Sequence, residues 1–153
     1  MVYAKQGDYA KALEYFGKAL DIRERLLGPD HPSTATSYHN IGRVYHSLGD
    51  SAKALEYHGK ALDIRERVLG PDHPDTATSY NNIGVVYRSQ GDYAKALEYH
   101  GKALDIRERV LGPDHPDTAT SYNNIGVVYR SQGDYAKALE YHGKALDIRE
   151  RVL

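Results

Sequence analysis

The sequence predicts an all-α fold, a stacked solenoid of antiparallel helix pairs with seven helices after an N-terminal stub. Three observations carry that reading. A block opening Gly-Asp recurs at Gly7, Gly49, Gly91 and Gly133, a period of 42 residues in a chain of 153. Internal periods of roughly 20–50 residues mark stacked repeat units, not one globular core. Within each block apolar side chains fall at the i, i+3, i+4, i+7 spacing of a buried helix face, and each periodic stretch stops at Gly or Gly-Pro.

The copies are nearly identical. Residues 49–90 and 91–132 differ only at Ser51/Tyr93, whereas 7–48 differs from 91–132 at Phe16/His100, Leu26/Val110, Ser33/Asp117, His39/Asn123, Arg43/Val127, His46/Arg130 and Leu48/Gln132. Residues 133–153 repeat 91–111 unchanged. The chain therefore reads as a single array over 1–153: the end of a helix A (1–6), full repeats at 7–48, 49–90 and 91–132, and a final helix B in 133–153. It starts and stops inside the unit, as a window on a longer array would.

Each block opens with helix B. In the third block this runs from Asp92, placed to cap it, to Leu111, with Gly112-Pro113 ending it, because Gly takes the left-handed C′ conformation and Pro cannot continue a helix. Its expected buried face is Tyr93, Ala96, Leu97, His100, Ala103, Leu104 and Val110. Glu98–Lys102 and Asp105–Arg109 are i,i+4 pairs in the favourable order, roughly 0.2–0.5 kcal/mol each, on a face expected to be solvated and otherwise idle. Helix A comes next, from about Pro116 to Gln132, with Asp114 as expected N-cap, Pro116 in the first turn and Gly133 as the stop. Its expected buried stripe is Ala119, Tyr122, Ile125, Gly126 and Tyr129. Gly126 costs about 1 kcal/mol relative to Ala in a helix interior, which a close helix–helix approach would offset. Gly101, in mid-helix B, carries the same cost without an evident reason.

These residues resemble a known family. Tyr122-x2-Ile125-Gly126-x2-Tyr129, then Gly133-Asp134-Tyr135 and Ala138, is similar to the tetratricopeptide repeat signature, W-x2-L-G-x2-Y followed by A-x3-F and P. Ala12-x3-Phe16 supplies the A-x3-F step; Ala54, Ala96 and Ala138 are followed by His58, His100 and His142 instead. The longer unit, with Leu-Gly-Pro-Asp-His-Pro and a following Asn-Asn, looks like the 42-residue repeats of kinesin light chains and related fungal and microbial proteins. The resemblance implies a right-handed superhelical solenoid and a non-catalytic scaffold that binds a protein or peptide segment along a concave groove lined by helices A.

The residues themselves suggest which side chains line that groove. Thr120, Asn123, Val127 and Arg130 form a stripe displaced from the buried face, and three of the seven differences, His39, Arg43 and His46, land on it. Beyond the capping turn the helices A contain no Asp or Glu but do contain His39, Arg43, His46, Arg88 and Arg130, so an acidic or carboxylate-bearing partner is favoured. Asn40, Asn82 and Asn124 recur one unit apart, flanked by Asn81 and Asn123. Asn is a poor helix former, so these amides either read a peptide backbone or bond to the neighbouring repeat. Carboxylate-clamp members of the family use an Asn at the position of Asn124. Their Lys one turn earlier is Thr36, Thr78 or Thr120 here, so chaperone-tail binding is not expected.

Other classes are set aside on the residues. There are no cysteines, hence no disulfide and no thiolate zinc site, and Lys+Arg 20 against Asp+Glu 21 provides no basic field for nucleic acid or anionic membrane. No apolar run approaches the ~18 residues of a membrane helix and Met1–Gln6 is no signal peptide, which places the expected location in the cytoplasm. No nucleophile elbow, phosphate loop or His-Glu-x-x-His is present, so neither an enzyme nor a cofactor is expected. His31, His73 and His115 read as capping and loop residues, and His58, His100 and His142 as satisfied core histidines that weaken the fold on acidification; His39 and His46 stand two turns apart, too far for one metal ion. The competing reading is a structural array without specific ligand, self-associating or stacking end to end.

Overall fold

The computed structural model describes residues 6–152. These form seven helices: α1 (Gln6–Leu27), α2 (Pro32–Ser47), α3 (Ser51–Val68), α4 (Pro74–Ser89), α5 (Tyr93–Val110), α6 (Pro116–Ser131) and α7 (Tyr135–Val152). Odd-numbered helices are the expected helices B and even-numbered ones the helices A. The expected stub at 1–6 lies outside the described residues except for Gln6, which opens α1. Asp8 consequently sits in the first turn of α1, whereas Asp50 and Asp92 cap α3 and α5 by accepting from the Lys53 and Lys95 amides at 3.1 and 3.3 Å.

The helix-A cap corrects the expectation at Asp114. His115 is the cap: its Nδ1 accepts from the Asp117 amide at 3.0 Å, as His31 and His73 accept from Ser33 and Asp75. Pro at the first helical position leaves the histidine extended (φ −75°, ψ 142°), the geometry in which a cap side chain can fold back. Gly112 (φ 103°) and Gly133 (φ 84°) are the left-handed stops that the sequence required.

Two compact units divide the chain, Met1–Pro71 and Asp72–Leu153. In the first, Ala35 of α2 packs on Ala61 and Ile64 of α3, with Tyr38 against them. The second repeats this twice, as Ala77/Ala103/Ile106 with Tyr80 and Ala119/Ala145/Ile148 with Tyr122. Small residues let the hairpin helices approach closely. At Gly126, as at Gly84, an added Cβ would fall 2.9 Å from the ring of His142 or His100, so the close approach expected at Gly126 is present. At Gly101 the same Cβ would meet nothing within 4 Å.

Helix B buries a wider arc than its spacing suggested. Val110 is 46% exposed, while Ile106 (4%) and Arg107 (6%) are buried. The reason is that α5 meets α4 on one side and α6 on the other. Arg107 faces α6 and donates through Nη1 to Ser121 Oγ at 2.9 Å; burial lowers the pKa of its guanidinium. In unit 1 Arg23 of α1 donates likewise to Ser37 Oγ of α2 at 2.8 Å.

The charged face of helix B is not idle either. Glu98–Lys102 and Asp105–Arg109 pair as expected at 3.6 and 2.8 Å, but Arg109 also reaches Asp72 at 2.8 Å. Arg67 does the same to Asp30 at 2.9 Å, and Arg151 bonds Asp114. Each links the end of one helix B to the loop 37 residues earlier. Exposed pairs of this kind are screened by solvent, so they align repeats more than they stabilise them.

Candidate functional site

Helices α4 and α6 of the second unit stand side by side, and their amides meet. Asn124 Nδ2 donates to Asn81 Oδ1 at 2.7 Å, and the same oxygen lies 3.2 Å from His100 Nδ1, which therefore carries the proton. One repeat on, Asn123 Oδ1 is 2.8 Å from His142 Nδ1. Asn81 and Asn123 thus hold the histidine rings of helices B, and Asn124 joins two repeats. This is the neighbour-bonding alternative for these amides. It leaves Asn81 and Asn123 with NH2 groups, and Asn124 with its carbonyl, on a half-buried surface.

Cations flank the amides. Arg130 is exposed and Arg88 half-buried, and among the described residues neither guanidinium makes an ion pair or hydrogen bond. Past the first-turn Asp75 and Asp117, α4 and α6 carry no carboxylate. Arg88 lies close enough to His100 to help, after burial itself, in lowering that ring's pKa to about 4. Thr78 and Thr120 turn their hydroxyls back onto the Pro74 and Pro116 carbonyls at 3.2 Å, where a clamp would need a cation.

In unit 1, α2 places His39, Asn40, Arg43 and His46 on the corresponding face, with Arg43 exposed. His39 stands where the later repeats have Asn, and its ring meets that of His58 edge-on at 5.6 Å. The expectation of satisfied core histidines fails here: His58 is 2% exposed and its Nδ1 has no hydrogen-bond partner. Burial first, then the positive groups His39, His46, Arg65 and Arg43, push its pKa down to about 3. His100 meets the expectation, being buried with an Asn oxygen as partner; His142 finds one too but is half-buried.

Sequence reasoning placed Tyr122 and Tyr129 on the buried stripe of helix A but missed the helix-B tyrosines that meet them and the lysines that cover them. Tyr99 stacks on Tyr87 (5.6 Å) and tilts against Tyr80 (6.0 Å), Lys95 sits over Tyr87, and Lys102 covers Tyr80 and Tyr99; Tyr141, Tyr129 and Tyr122 repeat the pattern with Lys137 and Lys144. Tyr122 donates to Glu108 at 2.7 Å, and burial and that carboxylate raise its pKa to about 12. The 42-residue recurrence of Tyr was the available signal. A recess of about 520 Å³ in unit 1 opens on the helix-B side, among Asp30, Tyr38, Gly59, Lys60 and Arg67, and shares no residue with the helix-A stripe.

Among the described residues no group of three or more His, Asp or Glu is placed to hold a metal ion, and no helix is long and apolar enough to cross a membrane.

The tetratricopeptide repeat family matches residues 1–67, 52–109 and 79–151. Among solved structures, BtubC (BKLC) from P. vanneervenii is similar over 95% of this chain and 58% of that one, with a TM-score of 0.85 and 30% identity. A Podosopora anserina putative kinesin light chain with nearly identical TPR-like repeats is similar in fold over 99% of this chain and 72% of that one (TM-score 0.79, 24% identity). The Clustered mitochondria protein of Arabidopsis thaliana is 50% identical over 46 residues, 30% of this chain and 3% of that protein. The chain thus spans 58% of BtubC and a small part of the plant protein. Helical hairpins closed by Gly, their 42-residue period and these matches agree: the chain belongs to the tetratricopeptide repeat family, and its fold is similar to that of kinesin-light-chain-like repeats.

Proposed function

We propose that this chain, as a member of a family whose repeats generally serve as protein–protein interaction scaffolds and are typically non-enzymatic, binds an acidic peptide or partner segment on its helix-A faces. In unit 2 the binding residues are Arg88 and Arg130 with Asn81, Asn82, Asn123 and Asn124; in unit 1, α2 contributes His39, Asn40, Arg43 and His46. The observation that carries the reading is the pair of guanidiniums without an intrachain partner, Arg88 and Arg130, beside the Asn81 and Asn123 amides, which are engaged through their oxygens, on helices without carboxylates past their first turns. Carboxylates are the natural complement of such a surface, and Arg can grip them bidentately.

The test is titration of the chain with a fluorescent peptide library graded in Asp and Glu content, at two salt concentrations. Acidic peptides bind, and added salt weakens them. Arg88→Ala with Arg130→Ala abolishes binding and leaves the melting curve in place, since neither side chain supports the fold. Peptide binding that survives this double substitution would remove the proposal.

A further inference from the structure

The hairpin of α2 and α3 differs from the two that follow at a buried contact. In unit 2 the Asn81 and Asn123 oxygens meet the Nδ1 atoms of His100 and His142. The counterpart of these Asn residues in unit 1 is His39, 42 residues before Asn81, and its ring centre lies 5.6 Å from that of His58. His58 is 2% exposed, and its Nδ1, the nitrogen that Asn holds elsewhere, has no hydrogen-bond partner. A buried polar atom in that state is costly, and native folds contain few of them. Where the later repeats supply an acceptor, the first supplies a second imidazole.

Two imidazoles in contact across a hairpin, one of them with an orphaned nitrogen, are ligands in search of a metal ion. The spacing fits. Histidine nitrogens ligate zinc at about 2.0–2.1 Å, which sets the ring centres of two histidines on one ion roughly 5–6 Å apart, from the tetrahedral angle to the linear one. The observed 5.6 Å falls inside that range, and the 65° between the ring planes is no obstacle, because each ring can turn about its metal–nitrogen bond. Gly42 seats one ring of the pair: a Cβ there would fall 2.9 Å from His58. His39 is half-buried, so water reaches the pair from its side and can complete the coordination. Burial keeps the His58 ring neutral, the form that ligates. The cationic neighbours do not bar an ion. Arg43 of α2 is exposed, Arg65 of α3 stands two turns, about 10 Å, along the helix from His58, and His46 of α2 carries charge only when protonated.

We infer that His39 and His58 form a binding site for a divalent transition ion of the zinc class, with water filling the positions that the two imidazoles leave. Unit 2 has no such site, because positions 81 and 123 are Asn. The loop histidines are engaged otherwise: His31, His73 and His115 cap helices through Nδ1.

The probe is Zn2+ alone, titrated by calorimetry at pH 7.5 into the chain after chelator treatment and dialysis, with a melting curve at each concentration. One ion binds per chain, and the midpoint rises with zinc, since the ion binds the folded hairpin in preference to the unfolded chain. His39→Asn gives His58 the amide that His100 and His142 already have. It lowers the zinc affinity at least tenfold, removes the zinc-dependent rise and, without zinc, melts no lower than the parent. Asn81→His sets a second such pair in unit 2 and raises the stoichiometry to two. Zinc uptake that survives His39→Asn belongs to other histidines and overturns the inference, as does a parent chain that takes up no zinc. An Asn81→His variant with the parent's circular-dichroism spectrum that still takes up one ion overturns it too. The readout uses no peptide and neither Arg88 nor Arg130, so this site and the acidic-peptide surface fail separately.

Discussion

A single exchange, Asn for His at position 39, separates a satisfied buried ring from an unsatisfied one. His100 shares Asn81 Oδ1, while His58 faces His39 and keeps an unpartnered Nδ1. Both rings resist protonation, at about pH 3 and about pH 4, whereas in the unfolded chain a histidine takes its proton near 6.5. The unfolded state therefore binds protons first as pH falls. Stability is full above about 6.5 and declines through the window down to the folded values, by about 1.4 kcal/mol per pH unit for each group. Thermal melts at pH 7.5 and 5.0 should show the lower midpoint at 5.0, and His58→Phe, the side chain that α1 carries at its Phe16, should reduce the difference and raise the midpoint at both pH values. Equal midpoints in the parent protein would contradict this. The sequence revealed that these histidines occupy a core position. It did not reveal which were satisfied, because the partner lies 19 residues away on the other helix of the hairpin.

Between helices, the two classes of mid-helix glycine call for opposite substitutions. Gly126 lies under the His142 ring with no room for a methyl group; Gly126→Ala should cost about 1–3 kcal/mol as the ring is forced off its site. Gly101 and Gly59 face open space, and Ala there should add about 1 kcal/mol each through helix propensity alone. Urea midpoints of the single variants decide between them, and a destabilised Gly101→Ala would show a constraint that the packing does not contain. The close approach at Gly126 was legible because a glycine inside a strongly periodic helix needs compensation. The Arg109–Asp72 link was not, since it depends on where the Gly-Pro loop of one repeat lies against the helix B of the next, which helical periodicity does not encode. For the same reason the burial of Arg107 was not legible in the sequence.

At the scale of the whole molecule, the 42-residue period was enough to read an all-α repeat fold, and the family matches agree with it. The helix-A residues proposed as a site were legible only as a stripe: their spacing places them on one face, but the bonds of Asn81, Asn123 and Asn124 arise between helices. Charge and exposed apolar surface jointly predict solution behaviour. The formal net charge is −1 and the isoelectric point is near 6.7, while Leu26 is 75% exposed on α1 and Leu139 is 73% exposed on α7. With little charge repulsion near neutrality, solubility should pass through a minimum close to pH 6.7 and recover about two pH units to either side. Light scattering across pH 5–9 measures it, and a flat profile would rule the argument out.

The unpartnered Nδ1 of His58 has a consequence for how the chain finds its native pairing. Helices α3 and α5 differ only at Ser51 and Tyr93, so a folding chain can set either of them against α2 or α4 with nearly the same contacts. The local preference at position 58 runs against the native choice: an exchanged hairpin of α3 with α4 would hand His58 the Asn81 amide that it lacks. The native partner is then selected by the short Gly-closed turn between α2 and α3, through loop entropy rather than side-chain chemistry. On this ground decoy pairings should compete at position 58 during refolding.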